Sequence, residues 1–345
     1  MEITSNPTSL KVHKTMANQI DTGSVSIIEI VNPIRKELAE VESILKRELT
    51  SDSDDVSKML KHPMFWSGKR VRPILLLLAA DLAGEISQRH TVLAAAIEMV
   101  HVATLVHDDI LDDAKTRRHA SSVNQEWGNH LSVLLGDFLF SHAYYLASSV
   151  NSVWACQQIS QATNRLVAGE IEQINNQGNF QITEKEYFQI IDGKTGSLCE
   201  CATSLGGVDA HRNSETISRL QSIGNNYGLA FQIVDDILDL QGTESVVGKS
   251  LGSDLNQLKL TLPMIFSLSQ LDQHQRSEIV ERLQNQQMNS AKVVEFISQQ
   301  GGFQYALQSA ESLVRNAQRT IQGFPDSPSK ESMLAIGEFV LSRDS

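Results

Sequence analysis

The 345-residue sequence has few of the residues that mark several common classes of protein. Its three cysteines, Cys156, Cys199 and Cys201, are an odd and sparse set, which predicts neither a disulfide framework nor a zinc site. Basic residues are also scarce, because 29 lysines and arginines stand against 41 aspartates and glutamates, a net charge of −12. Affinity for a phosphate backbone needs a basic surface, so we do not expect nucleic acid as a partner.

Long apolar runs are missing as well. The longest clean run, residues 74–80, is far shorter than the roughly 20 residues that a bilayer-spanning helix needs. Residues 1–25 are polar and lack the basic start and apolar stretch of a secretory signal, so we expect a disordered N-terminal tail there. Together with the sparse cysteines, these features predict a cytoplasmic protein with one large domain over residues 26–345.

The apolar residues that are present recur at helical spacing almost throughout the chain. Residues 91–107 show this period clearly. The same period runs through four further segments, residues 131–147, 153–173, 215–240 and 293–297. No segment alternates convincingly with a period of two, and no hairpin signal separates two such segments. The sequence therefore predicts an all-α fold, a large helical bundle, in which ligand sites lie between facing helices.

A cluster of carboxylates follows the first of these segments, where the string DDILD begins at Asp108. On a helix, Asp108 and Asp112 would share one face with their Cβ atoms roughly 5–6 Å apart. Two carboxylates so placed repel each other unless a cation lies between them. Oxygen ligands without cysteine or histidine favour Mg²⁺, which bridges carboxylates to substrate phosphates. A solvated acidic helix end is the alternative interpretation.

The same string, DDILD, begins a second time at Asp235, after another apolar helical segment. Two helices that end in matching carboxylate pairs would face each other across a cavity and hold one polyphosphate through metal ions. The apolar helical turns that precede the two motifs would form the walls of a hydrophobic pocket below the metals. Two unrelated surface clusters remain the alternative interpretation.

Basic residues gather around both acidic motifs, although the chain as a whole is acidic. Their guanidinium and ammonium groups suit phosphate oxygens, whereas any one of them alone would be typical of a solvated surface. These residues are Lys69, Arg70, Arg72, Arg117, Arg118, Lys194, Lys249 and Lys259. Lys194 and Thr195 also lie between two glycines, Gly193 and Gly196, which would weaken a helix and free its carbonyl groups.

Together these motifs resemble those of the trans-isoprenyl diphosphate synthases, the short- to long-chain polyprenyl synthases. The resemblance covers about residues 45–343 and keeps the family's order of motifs: GKRxRP, HDDxxDxxxxRR, GDFLF, GE, KT, FQxxDDxxD and GKxxGxDLxxxKxTLP. It implies the isoprenoid synthase fold around a central apolar cavity. It also implies a head-to-tail prenyltransferase that condenses isopentenyl diphosphate with an allylic diphosphate, and a homodimer. Because a net charge of −12 disfavours anionic membranes, we expect at most loose membrane contact.

The resemblance further implies three Mg²⁺ ions and a role for each matching residue. The metal site would comprise Asp108, Asp109, Asp112, Asp235, Asp236 and Asp239, of which Asp109, Asp236 and Asp239 act mainly through waters. The departing diphosphate would be neutralised by Arg117, Lys194, Lys249 and Lys259. Thr195 and Gln232 would stabilise the carbocation and orient the departing group. Isopentenyl diphosphate would be bound by Lys69, Arg72, His101 and Arg118.

One position departs from the family pattern. The family usually has glycine directly before the last of these lysines, whereas Leu258 precedes Lys259 here. The tight loop geometry that glycine permits is therefore expected to differ.

Product length depends, by the same resemblance, on the helix that leads into the first motif. Thr104 and Ala103, four and five residues before Asp108, are small, and Val100 one turn deeper is not aromatic. Each turn rises about 5.4 Å, comparable to one extended isoprene unit, so the short-product stop is missing. We expect a C30–C50 product made from a farnesyl or geranylgeranyl primer. Helix packing alone is the alternative explanation for these small residues.

Three other functions stay open at this point. One is a C15–C20 synthase. A second is a terpene cyclase or head-to-head synthase on the same fold, although the second DDILD and the cluster of Lys69, Arg72 and Arg118 argue against it. The third is a subunit of a heteromeric synthase, either non-catalytic or catalytic with a partner that it needs for full activity.

Overall fold

The computed structural model describes residues 27–117, 120–209, 213–241, 257–285 and 287–342. Its helices, numbered in chain order, are α1 (Ile27–Ile30), α2 (Arg35–Glu48), α3 (Asp54–Met59), α4 (Val71–Ala83), α5 (Gln88–Leu111), α6 (Val123–Ser148), α7 (Val153–Asn175), α8 (Glu184–Ile191), α9 (Ser197–Leu205), α10 (Ser214–Gln241), α11 (Leu262–Ser269), α12 (Gln273–Gln284), α13 (Ser290–Gln299), α14 (Gly302–Gln322) and α15 (Pro328–Leu341). Short 3₁₀ turns lie at Asn32–Ile34 and Pro63–Phe65, and a π-helical turn lies at Asp192–Gly196. The predicted tail, residues 1–25, and two predicted site residues, Arg118 and Lys249, lie outside the described residues.

The all-α prediction is confirmed. The five periodic segments correspond to α5, α6, α7, α10 and α13, each of which extends a few residues beyond the predicted segment. Prolines lie in the first turns of α4, α11 and α15, where a missing backbone N–H removes no helical hydrogen bond. One element was not predicted, an antiparallel hairpin between β1 (Thr116–Arg117) and β2 (Ala120–Ser121). Strands of two residues are too short to show an alternating apolar and polar pattern in the sequence.

Helix α5 lies in the middle of the bundle, packed against α2, α4, α6 and α9. Its small residues Ala94, Ala95 and Ala96 are fully buried, which lets neighbouring helices approach closely. By length and composition α5 is the one described helix that could cross a membrane. However, 78% of its most apolar window is buried inside the protein, which is typical of the core helix of a globular domain.

Helix α10 forms the other side of the bundle, against α9, α14 and α15. Its contact with α9 requires glycine at position 224, because a Cβ atom there would overlap the Thr203 side chain and the Cys199 backbone. The π-helical turn contacts both α7 and α10. The bundle thereby places the turn that carries Lys194 and Thr195 between α7 and the helix that carries the second acidic motif.

Candidate active site

The first acidic motif occupies the last turn of α5. Asp109 is fully buried, and it accepts a hydrogen bond of 2.7 Å from Nε of Arg117, whose Nη2 lies 2.5 Å from the same oxygen. Arg117 belongs to β1, so this ion pair ties the short hairpin to the end of the helix. Asp109 and Arg117 are thus paired with each other. Asp108 and Asp112, in the same motif, are half-buried.

Asp112 ends the helix and binds a segment that is distant in sequence. The Nζ of Lys259 lies 2.8 Å from Oδ1 of Asp112, and the Gln257 side chain donates to the Asp112 carbonyl oxygen at 3.1 Å. Between them, Leu258 has φ +53°, the left-handed conformation that favours glycine. Leu258 thus adopts the backbone conformation that glycine would adopt most easily, and the expected difference in loop geometry from the family stays a prediction.

Burial has the largest effect on the charge of Asp108. The pKa of Asp108 is raised to about 6, mainly by burial and to a smaller extent by Glu170 and Asp112, whereas Lys194 and Arg117 lower it. A carboxyl group that holds its proton so strongly lies where additional positive charge would be favourable. This electrostatic property fits a divalent cation at the first motif.

The donor set points to the same kind of ion. Within the described ranges, no three carboxylate, imidazole or thiol groups lie close enough together to hold a metal by themselves. Mg²⁺ usually binds through one or two carboxylates and completes its octahedron with waters and substrate phosphates. Asp108 with Asp112, and Asp235 in the second motif, therefore fit Mg²⁺ that is shared with a bound diphosphate.

The second acidic motif lies within α10 and is held by a chain of hydrogen bonds. Asp236 accepts from the Tyr187 hydroxyl at 2.6 Å and from the Gln232 amide at 2.8 Å. The other end of the Gln232 side chain accepts a 2.6 Å hydrogen bond from the Thr195 hydroxyl. Asp239 is buried and Asp235 half-buried on the same helix. Thr195 and Gln232, predicted to act together, are therefore in direct contact.

Lys194 and Thr195 lie on the π-helical turn between α8 and α9. Its wider winding appears in the hydrogen bond from the Ser197 N–H to the Asp192 carbonyl, five residues earlier. The predicted weakening of the helix at this point is confirmed. Gly193 allows the turn to lie against α7, because a Cβ atom there would be 2.8 Å from the Arg165 carbonyl oxygen.

The ammonium group of Lys194 points toward α7 and the first motif. It lies 2.7 Å from Gln173 Oε1 and 2.7 Å from Glu170 Oε2. Burial lowers the pKa of Lys194, but Asp108, Glu170 and Asp112 raise it more, so the net shift is upward and the group is charged. Lys194 is thus a fixed cation beside the first motif, one residue from the hydroxyl that connects to the second.

The residues predicted to bind isopentenyl diphosphate lie at the start of α4 and along α5. Lys69 Nζ lies 5.2 Å above the ring of Phe339 on α15, and the buried Nε of Arg72 has no hydrogen-bond partner among the described residues. His101 is half-buried on α5. Arg70, by contrast, is buried in ion pairs with Glu42 and Glu98, so its function is structural.

The residues predicted to set product length lie in the core. Val100 and Ala103 are fully buried, and Thr104 is nearly so, with its hydroxyl donating to the His101 carbonyl at 2.7 Å. Their effect on product length stays a prediction.

Several residues that connect the site were not predicted from sequence. The sequence indicates Glu170 only as part of the GE motif, and no motif indicates Gln173, Tyr187 or Gln257. Each is a common polar residue on a helix or in a loop, distant in sequence from its partner. Helical spacing between Glu170 and Gln173 is the one signal that would have placed both on the same face.

Comparison with known proteins agrees with this site. The family model described as Polyprenyl synthetase matches residues 53–300. Octaprenyl diphosphate synthase of Escherichia coli is 32% identical over 92% of this chain and 99% of its own length. Heptaprenyl diphosphate synthase component 2 of Geobacillus stearothermophilus is 36% identical over 68% of this chain and 73% of its own length.

A solved structure shares the fold closely. Polyprenyl synthase from Caulobacter crescentus, determined in complex with calcium and isoprenyl diphosphate, superposes with a TM-score of 0.88 at 30% identity, over 93% of this chain and 99% of that one. The family match over residues 53–300 includes both acidic motifs. The protein therefore belongs to the polyprenyl synthetase family and is a prenyltransferase.

Proposed function

We propose that the protein is a medium- to long-chain trans-prenyltransferase that condenses isopentenyl diphosphate with farnesyl or geranylgeranyl diphosphate and releases a C30–C50 polyprenyl diphosphate. The observation that carries this proposal is that one turn serves both DDILD motifs: Lys194 interacts electrostatically with Asp108 and Asp112, and Thr195 is hydrogen-bonded through Gln232 to Asp236. The relatives named for octaprenyl and heptaprenyl products support the longer chain lengths. So do the small residues Ala103 and Thr104 on α5.

Three Mg²⁺ ions would be held by Asp108 and Asp112 on one side and by Asp235 on the other. Bound there, they supply the positive charge that stabilises the departing diphosphate. Asp109, Asp236 and Asp239 would act through waters. Arg117 and Gln232 would also hold Asp109 and Asp236 in place.

The basic side chains would neutralise the leaving group as the carbon–oxygen bond of the allylic diphosphate breaks. Lys194 is already charged and fixed, which costs no rearrangement at the moment of reaction. Lys259 reaches the same region but is bound to Asp112, so it would exchange this carboxylate for a diphosphate oxygen. Lys249 and Arg117 would complete this set.

Chain extension then needs a carbocation that is protected from water. The carbonyl oxygens near the π-helical turn and the Gln232 side chain would stabilise the cation, and the apolar wall of α5 would exclude water. The double bond of isopentenyl diphosphate, held by Lys69, Arg72, His101 and Arg118, attacks the cation. A new carbon–carbon bond forms, and the proton lost passes to the released diphosphate.

We also propose a homodimer. Apolar side chains are exposed along α6 and α7, and a second copy would cover them: Leu131, Val133, Leu134, Val167, Ile171 and Ile174. Exposed apolar side chains grouped on two successive helices are typical of an interface. A different partner subunit is the second candidate, because one relative is named as component 2 of its synthase.

We further propose a cytoplasmic location with loose membrane contact at most. The support is the burial of α5 in the core, together with a net charge of −12, which disfavours anionic lipid surfaces. The lipid product would be transferred to a bilayer after release.

A product assay tests the proposal. Purified protein is incubated with Mg²⁺, radiolabelled isopentenyl diphosphate and farnesyl diphosphate, and the hydrolysed alcohols are sized by chromatography. Asp108→Asn should abolish incorporation, whereas Asp55→Asn, at a carboxylate that is 93% exposed, should not. A ladder that ends at C30–C50 supports the proposal, and one that ends at C15–C20 refutes the chain length. Absence of incorporation with every primer favours the partner-dependent subunit.

A further inference from the structure

Asp192 is the first residue of the π-helical turn and lies outside the residues discussed so far as substrate contacts. Its two carboxylate oxygens have different partners. Oδ2 accepts a 2.8 Å hydrogen bond from Nη2 of Arg165 on α7, and Oδ1 accepts a 2.5 Å hydrogen bond from the Asn225 amide on α10. The side chain of Asp192 thus connects the two helices between which the turn lies.

Helix α7 holds the turn at two places. Arg165 holds Asp192, while Glu170 and Gln173, further along the same helix, hold the ammonium group of Lys194. Between these contacts the backbones touch, since a Cβ atom on Gly193 would lie 3.0 Å from the Gly169 Cα atom. The ammonium group of Lys194 is therefore held by α7, whereas the position of its backbone is set by the contacts of the π-helical turn.

Helix α10 repeats the arrangement on the opposite side. Asn225 holds Asp192, and Gln232 accepts the hydrogen bond of Thr195. Asn225 and Gln232 are seven residues apart, two helical turns, so they lie on the same face. A Cβ atom on Gly196 would lie 3.1 Å from the Asn225 amide nitrogen, which leaves the turn little space to shift.

We propose that Asp192 is a positioning residue, which sets the backbone of the π-helical turn so that Lys194 and Thr195 meet the allylic diphosphate. Arg165 and Asn225 orient its carboxylate, and Arg165 is itself oriented by a second hydrogen bond of 2.8 Å to Glu200. The inference rests on the proposed contact of Lys194 and Thr195 with that diphosphate.

The contribution of these contacts to folding stability is expected to be small. The side chains of Arg165 and Asp192 are 41% and 38% exposed, and ion pairs so open to water contribute little. The neighbouring contacts of the turn with α7 and α10 remain when the carboxylate is removed. Asp192→Ala should therefore fold, which allows its kinetics to be measured.

The test compares Michaelis constants for the two substrates. Asp192→Ala should raise the KM for the allylic diphosphate about tenfold and lower kcat, because small displacements near the reacting groups are costly. The KM for isopentenyl diphosphate should stay within about twofold of wild type, since that substrate is assigned to other residues. Asp192→Asn keeps the shape and one of the two acceptor oxygens but places an amide N–H₂ group against the other donor, so it should recover only part of the loss. Arg315→Ala, which breaks an exposed ion pair with Glu311, is the matched control and should resemble wild type.

Two further variants separate the possible causes. If Arg165 acts through Asp192, the double variant Arg165→Ala with Asp192→Ala should have the same kinetics as Asp192→Ala alone. A lower melting temperature and lower kcat, with both KM values unchanged, would mean a merely structural residue and would overturn the inference. If Lys194→Ala has impaired kinetics while Asp192→Ala has wild-type kinetics, only the inference about Asp192 fails. If Lys194→Ala has wild-type kinetics, the proposed function of Lys194 fails and the inference fails with it.

Discussion

Replacing Gly169 by alanine should disable the enzyme without unfolding it. Gly169 lies on α7 where this helix touches the π-helical turn, and a Cβ atom there would be 2.7 Å from the backbone nitrogen of Lys194. Ordinary van der Waals contact begins at 3.4 Å, so the turn or the helix must move by about 0.7 Å. Overpacking of this kind costs about 1–3 kcal/mol. Because misplacement of about 1 Å near the reacting groups costs up to about 100-fold, we expect kcat to fall 10- to 100-fold.

Steady-state kinetics with farnesyl and isopentenyl diphosphate, together with a thermal unfolding curve, measure both effects. The melting temperature should fall by a few degrees while kcat falls by an order of magnitude or more. Gly323→Ala is the control, since a Cβ atom there would overlap the Arg219 guanidinium group, which is held by Thr320 and Phe324, and so would overpack the end of α14 rather than the π-helical turn. If Gly169→Ala lowers the melting temperature but keeps wild-type kcat, the position of the turn does not limit the reaction and the reasoning is refuted.

Three more predictions concern chain length, stability and pH. Thr104→Phe or Ala103→Tyr should shorten the product by at least one isoprene unit, because each larger side chain would block about 5.4 Å, one helical turn, below the first motif. Chromatography of the hydrolysed alcohols measures the product length. Arg117→Ala should lower the free energy of unfolding by about 3–5 kcal/mol in urea titration, because it removes the cation beside the fully buried Asp109. Burial lowers the pKa of His90 below its usual 6.5 and outweighs the opposing Asp209, so the unfolded chain binds more protons and stability should fall as pH decreases below about 6.5.

Each of these predictions has a control. Unchanged product lengths in both bulky variants would show that growing chains do not follow this part of α5. Arg315→Ala should lower the free energy of unfolding by less than about 1 kcal/mol. If Arg117→Ala lowers it by no more than this, the pair of Arg117 with buried Asp109 does not stabilise the fold as argued. His90→Gln should weaken the pH dependence measured between about pH 7.5 and 5.5. Asp108, with its raised pKa, contributes the opposite slope but is common to both proteins.

Local residue patterns were sufficient for much of the site. The spacing in DDILD placed Asp108 and Asp112 one helical turn apart, and a regular helix keeps that relation whatever surrounds it. Gly193 and Gly196 indicated an irregular turn around Lys194 and Thr195, and a π-helical turn is found there. The unfavourable conformation of Leu258 was not predictable, because leucine in the left-handed region occurs only where tertiary contacts impose it.

The sequence by itself determined the helical class, the family and the candidate residues of the site, because periodicity, motif spacing and charge are local properties of the chain. Only the tertiary structure decided which residues hold one another: Arg117 with Asp109, Lys259 with Asp112, Tyr187 with Asp236, and Arg165 with Asp192. Hydrogen bonds and ion pairs act over a few ångströms, and only the packing of α5, α7 and α10 around one turn brings side chains distant in sequence within that range.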